Sequence, residues 1–204
     1  HDEGGYSGDE PPSPPEIVNN VDDPCIRNSV ISVVNGGCKN QITNFINTTF
    51  ANSDQFHLQF NDAVLAGSSA NVDAHTSCGP MADLTQMLTI ITFNNSQLGN
   101  SSQEYLAATV LHEAVHAWID HKFPDPIENA AQHQLMASTS RFALMREALM
   151  EMFPNLPLQD ASDLTWGGLF ETVLFNSLSN AEKSRIIEKN HAFKNGNSGT
   201  PCVH

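Results

Sequence analysis

The chain has 204 residues, 40% of them hydrophobic, with 23 acidic side chains against 9 basic ones and a formal charge of −14 at neutral pH. That is enough apolar material for one domain with a sizeable core, and a second domain would be cramped. The negative field repels phosphate backbones and argues against nucleic acid as a partner. No apolar run approaches the roughly 18–20 residues that a membrane span requires.

The opening HDEGGYSGDEPPSPPE carries no initiator Met and no signal peptide, as expected of a mature chain whose export signal has been removed. Residues 1–22 are rich in Pro, Gly, Ser and acid and are expected to form a disordered tether. Such a tether would suit a lipid anchor lying upstream. Residues 23–204 are expected to form a single domain. Four cysteines, Cys25, Cys38, Cys78 and Cys202, include no C-x-x-C pair, which argues against a zinc ribbon or a thioredoxin-like motif. Two disulfides in an oxidising compartment are the expectation, and three connectivities are open. The preferred one joins Cys25 to Cys202 and Cys38 to Cys78. A secreted, periplasmic or cell-surface location follows.

The segment DPCIRNSVISVVNG reads as a helix capped by Asp23, with Pro24 at its first position and Gly36 near its end. A second helix follows, with Ile42, Phe45 and Ile46 on one face. In QFHLQFND, Phe56, Leu58 and Phe60 alternate with polar neighbours, a half-buried strand with His57 on its outward face. Residues 62–86 show no clean period, and His75 within them carries no assigned role. MLTIITFNN is the clearest strand of the chain.

In SSQEYLAATVLHEAVHAWIDHKFP, Ser101 and Glu104 have capping-box spacing. Ala107, Leu111, Ala114 and Trp118 then mark one buried helix face. A second long helical stretch covers 126–154, and SDLTWGGLFETVLFNSL and NAEKSRIIEKNHAFKNG complete a helical C-terminal half. Trp166, Leu169, Phe170 and Phe175 read as core, and Met145, Met150 and Met152 as helix packing.

His112 and His116 stand four residues apart, so on a helix they share a face one turn apart. Both imidazoles can reach one metal, and zinc accepts imidazole nitrogen. Glu113 stands beside them, placed to take a proton from metal-activated water. A chance H-E-x-x-H arises in about one chain in fifty of this composition, so the pair reads as a zinc site. A catalytic zinc needs a third protein ligand. Ile119 and Lys122 exclude the metzincin extension, and His121 is turned away from the metal face as a solvated helix end. His133 leads, because DHKFPDPIEN can form a turn between antiparallel helices. Glu147 and Glu151 are its rivals, Glu128 stands behind them, and Met136 would floor the site.

The stretch SSQEYLAATVLHEAVHAWID followed by QHQLMA resembles the SprT-like zincins, especially small secreted or lipoprotein metallopeptidase-like proteins of Bacteroidota. The resemblance runs from about residue 23 to 202 and is most specific over 88–136. It implies a compact α+β zincin-like domain: a small mixed sheet, an H-E-x-x-H helix and a helical C-terminal half. It also implies Zn2+ on His112, His116 and His133, with Glu113 as general base. The basic segments by which some SprT-like proteins reach DNA are missing, so only the metal site carries over. In zincins of this build the strand before the active-site helix is the edge on which a peptide docks. Residues 88–94 would then bind substrate through Thr89 and Ile91. Tyr105 and Arg141 are the candidates for steadying an oxyanion. The expected activity is hydrolysis of a peptide or protein substrate. The alternative is a catalytically silent zinc-binding or protein-binding module of the cell surface.

Overall fold

The computed structural model describes residues 17–35, 41–51, 53–81, 86–123, 125, 127–138 and 140–202. Ile17 and Val18 begin a strand, β1 (Ile17–Asn20), inside the segment expected to be a tether. That expectation is corrected for 17–22, and residues 1–16 lie outside the described residues. Only two adjacent apolar side chains mark the strand, too few to read as a period. β1 runs parallel to β2 (Phe56–Ala63). Parallel neighbours need a long crossover, supplied by α1 (Pro24–Val34) and α2 (Gln41–Thr49). Asp62 at the end of β2 accepts from the backbone N–H groups of Asp22 and Asp23 at 2.8 and 2.9 Å, fastening the end of β1.

A 3-10 turn (Gly67–Ser69) leads into β3 (Ala74–Pro80), which pairs antiparallel with β4 (Met87–Asn94). β4 also pairs in parallel with β2, giving the order β1-β2-β4-β3. β2 and β4 are therefore central, and β1 and β3 are the edges. Leu58 and Phe60 of β2 and Ile91 and Phe93 of β4 lose all exposure to one shared core. The sheet corrects two expectations. β4 is no edge, so Thr89 and Ile91, both buried, are out of reach of a docked peptide. His57 is buried rather than surface-facing.

Helices build the rest: α3 (Asn95–Leu98), α4 (Gln103–Lys122), α5 (Asn129–Ser138), α6 (Ser140–Met152), α7 (Leu158–Thr165), α8 (Val173–Asn176) and α9 (Asn180–Lys194). The class is α+β, a small mixed sheet in a mostly helical chain. The stretch expected as one long helix is two, α5 and α6. α1 has the expected cap, the Asp23 carboxylate accepting from the N–H groups of Cys25 and Ile26. α9 starts with a capping box between Ser179 and Glu182, and Gly196 follows its end with φ +68°. The cap of α4 falls one residue later than expected. Ser102 accepts from Tyr105 N–H, while Glu104 accepts from Thr200 N–H and Oγ1–H at 2.8 and 2.7 Å.

α4 is the central helix, touching α1, α2, β3, α5, α6, α7 and α9. Its inner positions Ala107, Val110, Leu111, Ala114 and Val115 are completely or almost completely buried. Further along this face the half-buried Trp118 stacks on Phe45 with ring centroids 4.9 Å apart. His121 is not a solvated helix end: its ring meets Phe56 edge-on at 4.4 Å, and burial, then the Lys122 charge, lowers its pKa. The bridge Cys25–Cys202 ties α1 to the C-terminal segment across 177 residues, as expected. Cys78 is a free, exposed thiol on β3, so the expected second bridge is not made, and Cys38 lies outside the described residues. Among the described residues no helix is long and apolar enough to cross a membrane.

Candidate metal centre

α4 carries His112, Glu113 and His116, and α5 brings His133 up to them. The Nε2 atom of His116 lies 3.1 Å from Nε2 of His112 and 3.1 Å from Nε2 of His133. The three rings offer ligand atoms within 4.8 Å of one another, a group that could hold a metal ion. No acidic rival joins them. Glu147 is 59% exposed beside Arg146, and Glu128 and Glu151 are exposed.

The outer nitrogens show what the inner ones must be. Gln132 donates its amide N–H to Asp120 Oδ1 at 2.7 Å and to the Ile127 carbonyl at 3.0 Å. Its Oε1 is thereby left to accept, and His116 Nδ1–H donates to it at 2.5 Å. His133 Nδ1–H donates to the Glu171 carboxylate. In its neutral form each imidazole then holds its proton on Nδ1 and a lone pair on Nε2. Two lone pairs facing each other at 3.1 Å cannot share a hydrogen bond, and a cation between them satisfies both. Two imidazole nitrogens at about 2.0–2.1 Å from a tetrahedral zinc would stand about 3.3 Å apart, close to what is seen. Outer groups that fix the tautomer of ligating histidines are a regular part of such centres.

Burial pushes the His112 imidazole well below its usual pKa, and the neighbouring His116 and His133 act in the same direction. Burial also lowers His116, against the opposing pull of Glu113 and Gln132. Both shifts favour the neutral form that a metal needs. Glu113 is buried beside the pair, and its Oε2 accepts from Thr76 Oγ1–H on β3 at 2.6 Å. All four side chains face a cleft of about 650 Å³. Its lining includes Ala74–Thr76 of β3 as well as Gly168 and Phe170.

Tyr105 lines the cleft, but its hydroxyl donates to Asp73 Oδ2 at 2.7 Å. Asp73 also pairs with Lys194 at 2.6 Å. Tyr105 is therefore committed as a wall residue. Arg141 lies 5.0 Å over the Trp118 ring, outside the cleft lining, and its proposed oxyanion role is withdrawn. Met145 rather than Met136 reaches the lining. Leu169 and Phe175 are core as expected, whereas Phe170 is shared between core and cleft.

Sequence reasoning missed Thr76, Gln132, Gly168 and Glu171. Gln132 directly precedes His133, and its amide could have been suspected. Thr76 lies 37 residues from Glu113, and Glu171 lies 38 from His133, with no periodic signal linking either pair. No protein-family model, no curated protein and no solved structure matches the chain, and its chemistry has to be read from the three-histidine cluster itself.

Proposed function

We propose that the chain is a zinc-dependent metallopeptidase of zincin type, hydrolysing peptide bonds in proteins or peptides. The observation that carries this reading is the convergence of three Nε2 atoms, two of them on rings oriented through Gln132 and Glu171, beside the buried Glu113 carboxylate in an open cleft. Three imidazoles suit several transition metals, and three protein ligands with an open position are the arrangement of catalytic zinc. A zinc ion held by His112, His116 and His133 would supply Lewis acidity toward a water molecule and a substrate carbonyl.

The chain's own residues do the rest. Glu113 takes the proton of the attacking water and returns it to the leaving amine. Thr76 holds the carboxylate from one side by donating to Oε2, which leaves its other oxygen for the proton. His116 and His133 are aimed inward because their Nδ1–H groups are engaged. Among the described residues β3 has a strand on one side only, and along its Ala74–Thr76 stretch on the cleft an extended peptide can add as a further strand. A disulfide is expected outside the cytosol, and Cys25–Cys202 fits a secreted or cell-surface enzyme.

The test is Glu113→Gln, which keeps shape and removes the base. The variant should load zinc like the wild type and cut a mixed-peptide library about 10²–10⁴-fold more slowly, in line with the loss of a general base. Equal cleavage by both proteins would refute the assignment of Glu113. Absence of cleavage by either zinc-loaded form would favour a silent binding module.

A further inference from the structure

We propose that the turn between α7 and α8, residues 166–172, fixes the geometry of the metal centre. Gly168 acts as a steric stop for His112, and Glu171 anchors His133. The inference rests on the three histidines holding a metal, and it names two positioning residues for that site.

His112 lacks the hydrogen-bonded outer nitrogen that orients His116 and His133. Its Nδ1 is buried with no hydrogen-bond partner among the described residues. Contact takes the place of that bond. Gly168 has φ +79°, and a Cβ on it would lie 2.7 Å from His112 Cε1, 3.2 Å from Nε2 and 3.3 Å from Nδ1. The bare glycine therefore lies against the Cε1 corner of the ring, between its two nitrogens. Any side chain there must push the imidazole out of its place or move the turn.

The turn itself has little room to move. A Cβ on Gly167 would stand 2.9 Å from Asn190 Oδ1 and 3.0 Å from the Leu164 carbonyl, so this backbone is closely packed against α9 and α7. Leu169 N–H donates to the Trp166 carbonyl at 2.9 Å, and Thr172 Oγ1–H donates to the Leu169 carbonyl at 2.8 Å. Leu169 and Thr172 have no exposed surface. Three residues beyond Gly168 the same turn presents Glu171 to His133 Nδ1–H. The Glu171 side chain is 51% exposed, so it fills no space in the core and its removal leaves no cavity. One short rigid segment thus bears on two of the three rings, which come from two different helices.

The experiment compares wild type, Glu171→Ala, Glu171→Gln and Gly168→Ala. Zinc affinity is measured by competition with a chromophoric chelator, and ligand geometry by the visible absorption of cobalt-loaded protein. Thermal melting of the metal-free forms reports the fold separately. Glu171→Ala should weaken zinc about 10–100-fold, the usual cost of losing such an outer partner. Glu171→Gln should recover most of that loss, because its amide oxygen still accepts from Nδ1–H. Gly168→Ala should weaken zinc and alter the cobalt bands. If it does not fold, the comparison of Ala with Gln at 171 decides the matter alone. Wild-type affinity and spectrum in both Glu171→Ala and Gly168→Ala would overturn the inference while leaving the metal site standing. A Gln variant as weak as the Ala variant would overturn the anchoring role of Glu171. A wild type that takes up neither zinc nor cobalt would overturn the metal site itself, and this inference with it.

Discussion

α4 and the turn at 166–172 serve the same centre in opposite ways. α4 supplies two of the three clustered histidines and the proposed base from five consecutive residues, His112 to His116, whose spacing follows from one helical turn. The turn supplies no ligand. It sets ring positions through a glycine that lacks a side chain and a glutamate on a half-exposed loop. Ligand identity is a local property of the chain, whereas ligand orientation is made by contacts between segments far apart in sequence.

That division can be tested from the other side of the cluster. Gln132 does for His116 what Glu171 does for His133, but through a neutral amide carried on α5. Gln132→Ala should lower zinc affinity about 10–100-fold in a chelator competition, since an outer partner of a ligating histidine is lost. If affinity is unchanged, helix packing alone orients His116 and the comparison loses its point.

A smaller effect concerns protons. Burial holds His112 and His116 below the ordinary histidine value of 6.5, so between that value and their folded values the unfolded chain binds more protons than the folded one. The metal-free protein should therefore have its full stability from these groups above about pH 6.5. It should lose stability as pH falls through 6.5 toward the lower folded values. Thermal melts of metal-free protein from pH 8 to pH 5 would check this. His112→Gln with His116→Gln should flatten the profile. A steep loss that survives in the double variant would place the titrating groups elsewhere.

The least effect is expected at Thr76. Thr76→Val keeps the shape of β3 and removes the donor to Glu113. One such bond is worth about 0.5–1.5 kcal/mol, so turnover should fall about 2- to 12-fold with zinc affinity unchanged. A loss of zinc would mean that β3 supports the cluster itself and not only the base.

The same contrast explains what the sequence disclosed. The pentapeptide, the buried face of α4 and the cap of α1 were legible because each depends on residues within a turn or two. His133 could be singled out because a short turn returns α5 along α4, although Glu147 and Glu151 could not be dismissed until their exposure was seen. The place of β4 was illegible. Its own residues announce a strand, but its central position depends on β3 closing one side and β2 the other. His57 is likewise buried without any signal in β2. That Cys78 stays free was illegible too, because pairing depends on fold geometry, which residue counting does not contain.

The most direct measurement is metal content by mass spectrometry on purified wild type, His133→Ala and Glu147→Ala. The account predicts one zinc per chain in the wild type and in Glu147→Ala, with sharp depletion in His133→Ala. Full zinc in His133→Ala, or none in the wild type after zinc is added back, would contradict it.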